Sequence, residues 1–193
     1  MTILVMGFDT ETTGLSAEKG DKIIEFAGLT YDFATGKLVD KFVQRIDPER
    51  PISAGAQEVH GIAYSDLVGM PKFRDVAPEI ARRFSEVDLV IAHNIAFDLE
   101  FLIAEFTACG VSIPDVDGWD TMSESRWACP DGKFPRLEEL AFALGIPFDA
   151  SAAHAAEYDV ERMMACFFEA MKRGVWVLPQ AFRDRVEAVR VAA

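Results

Sequence analysis

Asp9 and Glu11 stand one residue apart in "MGFDTETTGL" (6–15), directly behind an apolar run. On an extended chain, side chains at i and i+2 point to the same side, so the two carboxylates can face one spot if the strand continues through them. That geometry suits a hard cation such as Mg²⁺, which takes one or two protein carboxylates and leaves positions for water and a phosphate. The competing reading is a solvated turn in which Thr12, Thr13 and Gly14 supply ordinary turn chemistry. A second acid, Asp98, lies in "HNIAFDLEF" (93–101), where a buried strand gives way to a helix. There it borders the apolar face, and a helix N-terminus by itself favours a carboxylate.

The third acid is more informative. Asp159 shares a helical stripe with Met163, Cys166 and Ala170, so it faces the core. A buried carboxylate needs a cationic partner, a metal or a shifted pKa. Arg162, three residues on, could make it a structural ion pair. His154 precedes it by five residues, at a loop-to-helix junction where an imidazole can take a proton near neutral pH. Of the three histidines, His93 and His154 lie near candidate acids, and His60 sits in "EVHGI".

The elements that must position these groups follow from periodicity. Residues 2–8 read as a buried strand, 22–33 and 37–46 as two strands joined through "ATG", and 88–93 as a short buried strand. Helical patterns cover 73–87, 96–110, 136–145 and 154–174, three of them with a glycine stop. Residues 111–135 are irregular, with one short strand near "GWDT". The alternating acids of "DVDGWD" do not match an EF-hand and read as surface loop acids. Strands early and helices between later strands predict an α/β domain with a mixed sheet. Past Pro179, Phe182, Val186 and Val189 recur at helical spacing, predicting a final helix that packs on the body or, alternatively, on a partner.

A chain of 193 residues, half of them hydrophobic, is long enough for one domain with a sizeable core. No apolar stretch approaches the roughly 20 residues that span a bilayer, and the N-terminus lacks a signal-peptide pattern, so the expectation is a cytoplasmic protein without a membrane partner. Cys109, Cys129 and Cys166 show no zinc-site spacing and read as reduced, packed thiols. The formal charge of −13 argues against gripping long nucleic acid by charge alone. Carboxylates converging on cations would invert that field locally.

In chain order, DxE with TTG (Asp9 to Gly14), HNxxFD (His93 to Asp98) and HxAxxD (His154 to Asp159) make a pattern that resembles the DEDDh 3′–5′ exonucleases. That family includes the proofreading epsilon subunit of bacterial DNA polymerase III and ribonuclease T. The likeness runs over residues 3–173 and includes "VHGI", "DT" at 120–121 and "LEELAFALGI". It implies a ribonuclease H-like fold, a mixed five-stranded sheet flanked by helices. It implies that Asp9, Glu11, Asp98 and Asp159 hold two Mg²⁺ or Mn²⁺ ions and that His154 is the general base. By the same resemblance Thr12, Thr13, Gly14, Leu15, His60, Asn94 and Phe97 would bind the substrate's terminal nucleotides. An exonuclease domain over 1–174 and a helical C-terminal extension over 175–193 complete the expected organisation.

The tyrosine subclass carries Tyr four residues before the last acid; Ala155 occupies that place, favouring the histidine subclass. Two departures stand out. Relatives often have Arg after the histidine of the third motif and a small residue after its Asp, where this chain has Ala155 and Val160. Residues 175–193 show no glutamine-led clamp-binding peptide, which leaves a DNA polymerase as a conditional partner. The expected substrate is the 3′ end of single-stranded or frayed DNA. The alternative is RNA, as for ribonuclease T or oligoribonuclease. The intact five polar groups argue against a non-catalytic binding module.

Overall fold

A computed structural model describes residues 2–191. The sheet is built on β1 (Leu4–Thr12), β2 (Ile23–Asp32), β3 (Leu38–Arg45), β4 (Leu89–Ala92) and β5 (Gly118–Asp120), in the order β3-β2-β1-β4-β5. β1, β2 and β3 are antiparallel neighbours, whereas β4 and β5 run parallel to β1. Parallel strands need crossovers, and the amphipathic segments supply them. α2 (Phe73–Ser85) leads into β4 and α3 (Ile95–Cys109) links β4 to β5. α4 (Leu137–Leu144), α5 (Ala156–Arg173) and α6 (Gln180–Val191) follow.

Two cores sandwich the sheet. Met6 and Phe8 of β1 pack with Phe84 of α2 and with Phe101 and Phe106 of α3; Val5 of β1, Leu29 of β2 and Ile91 of β4 pack with Val160, Met164 and Phe167 of α5. Alternation along β1 thus sends even residues to α2 and α3 and odd residues to α5. Gly7 is required where α5 crosses: a Cβ there would lie 2.6 Å from Met164 Sδ and 2.9 Å from Val160 Cγ1. The consequence is functional, because this close approach carries the first turn of α5 up to the C-terminal end of β1.

β1 is longer than the predicted 2–8, since pairing with β2 continues to Glu11↔Glu25 and a bulge then separates Glu11 from Thr12. α5 begins at Ala156 rather than 154, because His154 takes a left-handed φ of 65° that no helix continues. Between β3 and α2, where the sequence pattern predicts no element, there is α1 (Ala54–His60), capped by Ser53 Oγ accepting from Ala56 N at 3.2 Å. Its length hid it: seven residues give too little periodicity to detect.

Residues 175–191 pack on the α5 core through buried Trp176, Leu178 and Phe182, as the helical spacing predicts. Met1 and residues 192 and 193, at the ends of the two expected ranges, lie outside the described residues. All three cysteines are free, with Cys129 and Cys166 buried. No helix among the described residues is long and apolar enough to cross a membrane.

Candidate active site

Asp9 and Glu11 occupy the α5 side of β1, one pleat apart, and the first turn of α5 brings Asp159 against them. Carboxylate oxygens of Asp9, Glu11 and Asp159 all lie within 4.8 Å of one another. Asp159 Oδ2 accepts from the His154 backbone N–H at 3.0 Å, while its Oδ1 is buried without a hydrogen-bond partner. Arg162, the alternative ion-pair partner, is directed elsewhere: it donates to the Pro147 carbonyl at 3.4 Å and its guanidinium lies 5.3 Å from the Tyr158 ring centre. Arg162 pairs instead with Glu161 at 3.8 Å, and half-buried Asp159 has no cationic side chain paired with it among the described residues.

Electrostatics follow from that crowding. Burial, then repulsion from Asp98, Glu11 and Asp159, pushes Asp9 well above the usual carboxylate range. Burial and the charges of Asp159, Glu25 and Asp98 push Glu11 up to about 8. Burial also raises Asp159, against the lowering effect of the His154 N–H. Carboxylates that suppress one another's ionisation are what a divalent cation relieves, and an orphaned buried oxygen such as Asp159 Oδ1 is a ready ligand atom. The residues present therefore fit a metal centre.

Asp98 stands slightly apart. It is buried, and its Oδ1 accepts from both Thr10 N at 3.0 Å and Thr10 Oγ1 at 2.7 Å, which staples α3 to β1 from the opposite face. Burial raises it to about 7 even though both Thr10 hydrogen bonds pull it down. It is not part of the close cluster of three, yet its charge is felt at both Asp9 and Glu11.

His154 is exposed, its side chain makes no hydrogen bond to the described residues, and it lines a cavity of about 610 Å³ together with Asp9 and Asp159. Asn94 lines the same cavity and enters α3 at φ 77°, held by its N–H donating to Asp120 Oδ1 at 2.9 Å. His93 is structural here: Nε2 donates to the Pro135 carbonyl at 3.0 Å, Nδ1 sits 3.0 Å from Thr121 Oγ1, and burial lowers its pKa.

The TTG turn is fixed internally. Thr12 Oγ1 donates to the Gly14 carbonyl at 2.6 Å, Thr13 Oγ1 to Asp21 at 3.1 Å, and a Cβ on Gly14 would fall 2.3 Å from Asp21 Oδ2. Both hydroxyls are committed to the fold, which leaves backbone and shape for a ligand. Beside the turn, Leu15 is 84% exposed, the largest outlier for an apolar side chain in this region. The Ser53 N–H donates to the Thr13 carbonyl at 2.9 Å, so α1, ending in His60, is docked on the turn. Phe97 packs on Phe101 with ring centres 5.0 Å apart. Leu15, His60 and Phe97 do not line the cavity that holds His154.

Sequence reasoning passed over Glu25 and Asp120. Glu25 is buried, 3.2 Å from Arg45 Nε, and accepts from the Ala156 N–H at 3.4 Å, tying β2 to the start of α5. The available signal was one acid inside the otherwise apolar "KIIEFAGL". Asp120, read as a surface loop acid, is half-buried and accepts from both Asn94 N and Met122 N at 2.9 Å. Its place at the strand end explains the difference, since two N–H groups there have no ladder partner.

Comparison with known proteins identifies the family and the fold. The RNase T family model, described as "Exonuclease", matches residues 6–167. The chain is 35% identical over 162 residues to DNA polymerase III subunit epsilon of Treponema pallidum (strain Nichols), covering 83% of this chain and 73% of that protein. It is 33% identical over 165 residues to the 3′-5′ exonuclease DinG of Bacillus subtilis (strain 168), covering 86% of this chain but only 17% of that much longer protein. Among solved structures, Exonuclease X in complex with 5′ overhanging duplex DNA superimposes with a TM-score of 0.68 at 24% identity, covering 90% of this chain and 94% of that one. Exonuclease I superimposes with a TM-score of 0.75 at 22% identity, covering 88% of this chain and 41% of that one. At these identities the structural likeness speaks for the ribonuclease H-like fold.

Proposed function

The chain belongs to the RNase T exonuclease family, and from that premise we propose that this epsilon-like 3′–5′ exonuclease releases nucleoside monophosphates from the 3′ ends of DNA by metal-assisted hydrolysis with His154 as base. The observation that carries the reading is the meeting of Asp9, Glu11 and Asp159 within 4.8 Å, with Asp159 Oδ1 buried and unpartnered. Those three acids and Asp98 would hold two Mg²⁺ or Mn²⁺ ions. When bound, such ions supply Lewis acidity at the scissile phosphate and a more acidic water.

The rest is done by the chain. His154 presents an exposed imidazole at the mouth of the cavity and takes the proton from the attacking water as the new P–O bond forms and the bond to the leaving 3′ oxygen breaks. Its backbone N–H donates to Asp159 Oδ2, which ties the loop that carries the base to the acid. Backbone of the Thr12–Thr13–Gly14 turn, with Leu15, His60 and Phe97, seats the terminal nucleotide, where apolar faces suit an unpaired base without reading its sequence. A DNA polymerase is named for the Treponema relative. In this chain α6 buries Phe182 against the α5 core.

Single-stranded DNA and RNA of equal sequence, labelled at either end and incubated with Mg²⁺, Mn²⁺ or EDTA, test the reading. Mononucleotide release from the DNA 3′ end that stops in EDTA is expected. Release beginning at the 5′ end would overturn the polarity, and faster digestion of RNA would overturn the substrate.

A further inference from the structure

The cavity that holds Asp9, Asp159 and His154 has a far wall that the proposed chemistry does not use. It is formed by Phe134, Pro135 and Arg136, the last residues before α4. Arg136 is the one Lys or Arg among the residues lining this cavity, which it shares with Asp9 and Asp159. Its side chain is 80% exposed and its nearest acid, Glu138, is 3.8 Å away, so the guanidinium is largely uncommitted. Phe134 is 51% exposed, so much of its ring is open to solvent.

The wall is nevertheless rigid. The Pro135 carbonyl accepts from half-buried His93 at 3.0 Å, the Arg136 N–H donates to Glu139 at 2.8 Å, and Arg126 lies 5.0 Å from the Phe134 ring centre while donating to the Gly132 carbonyl at 2.6 Å. A held aromatic ring next to a free guanidinium is the combination that single-stranded nucleic acid uses, a stacking face plus a planar fork for phosphate. Beyond Phe148 and Glu138, which both spaces share, the cavity meets a groove of about 880 Å³ carrying the exposed ring of Phe142 and Lys133, the latter paired with Glu139 at 2.6 Å, so a strand leaving this wall has room to continue.

We propose that Phe134 and Arg136 bind the nucleotides on the 5′ side of the scissile bond, Phe134 by stacking a base and Arg136 by taking a phosphate. The inference rests on the exonuclease reading and deepens it. The scissile phosphate sits at the carboxylates. The terminal nucleotide is assigned to Leu15, His60 and Phe97, which lie off this cavity, so the upstream strand is left with the wall that lines it. Arg136 also supplies a cation to a site whose third motif has Ala155 directly after His154.

The test measures KM and kcat in Mg²⁺ for oligothymidylates of two and six nucleotides, as a function of salt, in the wild-type chain and in Phe134→Ala, Arg136→Ala and Arg136→Lys. In the wild type, KM falls from the dimer to the hexamer. Phe134→Ala should raise the hexamer KM roughly fivefold to 150-fold, the span of one lost base stack. Arg136→Ala should flatten the dependence of log KM on log salt by about 0.7, the value of one phosphate contact on a single strand, with Arg136→Lys restoring the slope. In each case kcat at saturation stays within about twofold, which a folding defect or displaced carboxylates would not allow. Variants with wild-type KM and salt slope, or with kcat lost at unchanged KM, overturn this inference alone. A wild-type chain that releases no nucleotide overturns the exonuclease reading beneath it.

Discussion

The site has two halves of different character. Asp9 and Glu11 sit on the central strand, paired to β2 along their whole length, with positions set by the ladder. His154 and Asp159 straddle a junction: Asp159 is anchored in the first turn of α5, but His154 is exposed, at positive φ, with no side-chain hydrogen bond to the described residues. Holding a dication needs oxygens that cannot relax away from one another, which a strand guarantees. Taking a proton from water needs access to solvent and freedom to turn, which a loop provides. On the proposed reading, the fixed charge sits on the sheet and the proton acceptor on the loop.

Removing a fixed charge should have the largest effect. Asp9→Asn is expected to lower kcat/KM by at least about 10³-fold, because transition-state charge stabilisation worth several kcal/mol depends on the cations it helps to hold. The same change should raise the Tm in EDTA, since it removes a carboxylate whose ionisation is opposed by burial and by the charges of Asp98, Glu11 and Asp159. Near-normal turnover would remove Asp9 from the site. On the mobile side, His154→Ala should cost about 10²–10⁴-fold in kcat while Mg²⁺ still raises the Tm, because a base contributes that much and no ligand is lost. A variant that stops responding to Mg²⁺ would make His154 part of the rigid half.

The pH dependence of stability separates the halves next. Burial and mutual repulsion raise Glu11 to about 8, and burial raises Asp98 to about 7 against the two Thr10 hydrogen bonds. The metal-free fold thus binds more protons than the unfolded chain between about pH 4.5 and 8, and stability must fall as pH rises through that window. In EDTA the Tm should drop by roughly 5 °C or more from pH 5 to pH 8.5, with Mg²⁺ recovering most at the alkaline end. A Tm that rises with pH in EDTA would contradict the buried cluster.

The smallest change acts on the joint between the halves. Gly7→Ala puts a Cβ 2.6 Å from Met164 and should cost about 1–3 kcal/mol by overpacking. Because it lifts α5 from β1, kcat should fall further than stability predicts, and Met164→Ala in the same chain should restore part of both. Equal kcat in Gly7→Ala and wild type would show that the α5 approach does not set the distance between Asp159 and Asp9.

Much of this was legible in advance. The strands over 22–33 and 37–46 and the helix over 96–110 are found within a residue or two, because each carries a long, regular apolar period. Asp159 betrayed itself by falling on the apolar stripe of α5. Glu25 and Asp120 did not, because each acts on a backbone N–H far away in sequence, Glu25 on Ala156 and Asp120 on Asn94, and no local period encodes such a meeting. Arg162 misled for the converse reason: three residues of helix bring it near Asp159 in principle, but the packed Tyr158 ring and the Pro147 carbonyl compete for its guanidinium.

By itself, the order of residue types determined the family pattern, the α/β class and the identity of the acids, since periodicity and local spacing are properties of a chain. Only the tertiary structure decided that Asp9, Glu11 and Asp159 share one place while Asp98 is stapled to Thr10 beside them. The bare backbone of Gly7 lets α5 approach, and the pleat of β1 chooses which face each acid takes. Distances between segments far apart in the chain are set by packing against a common core, and packing is a property of the whole fold.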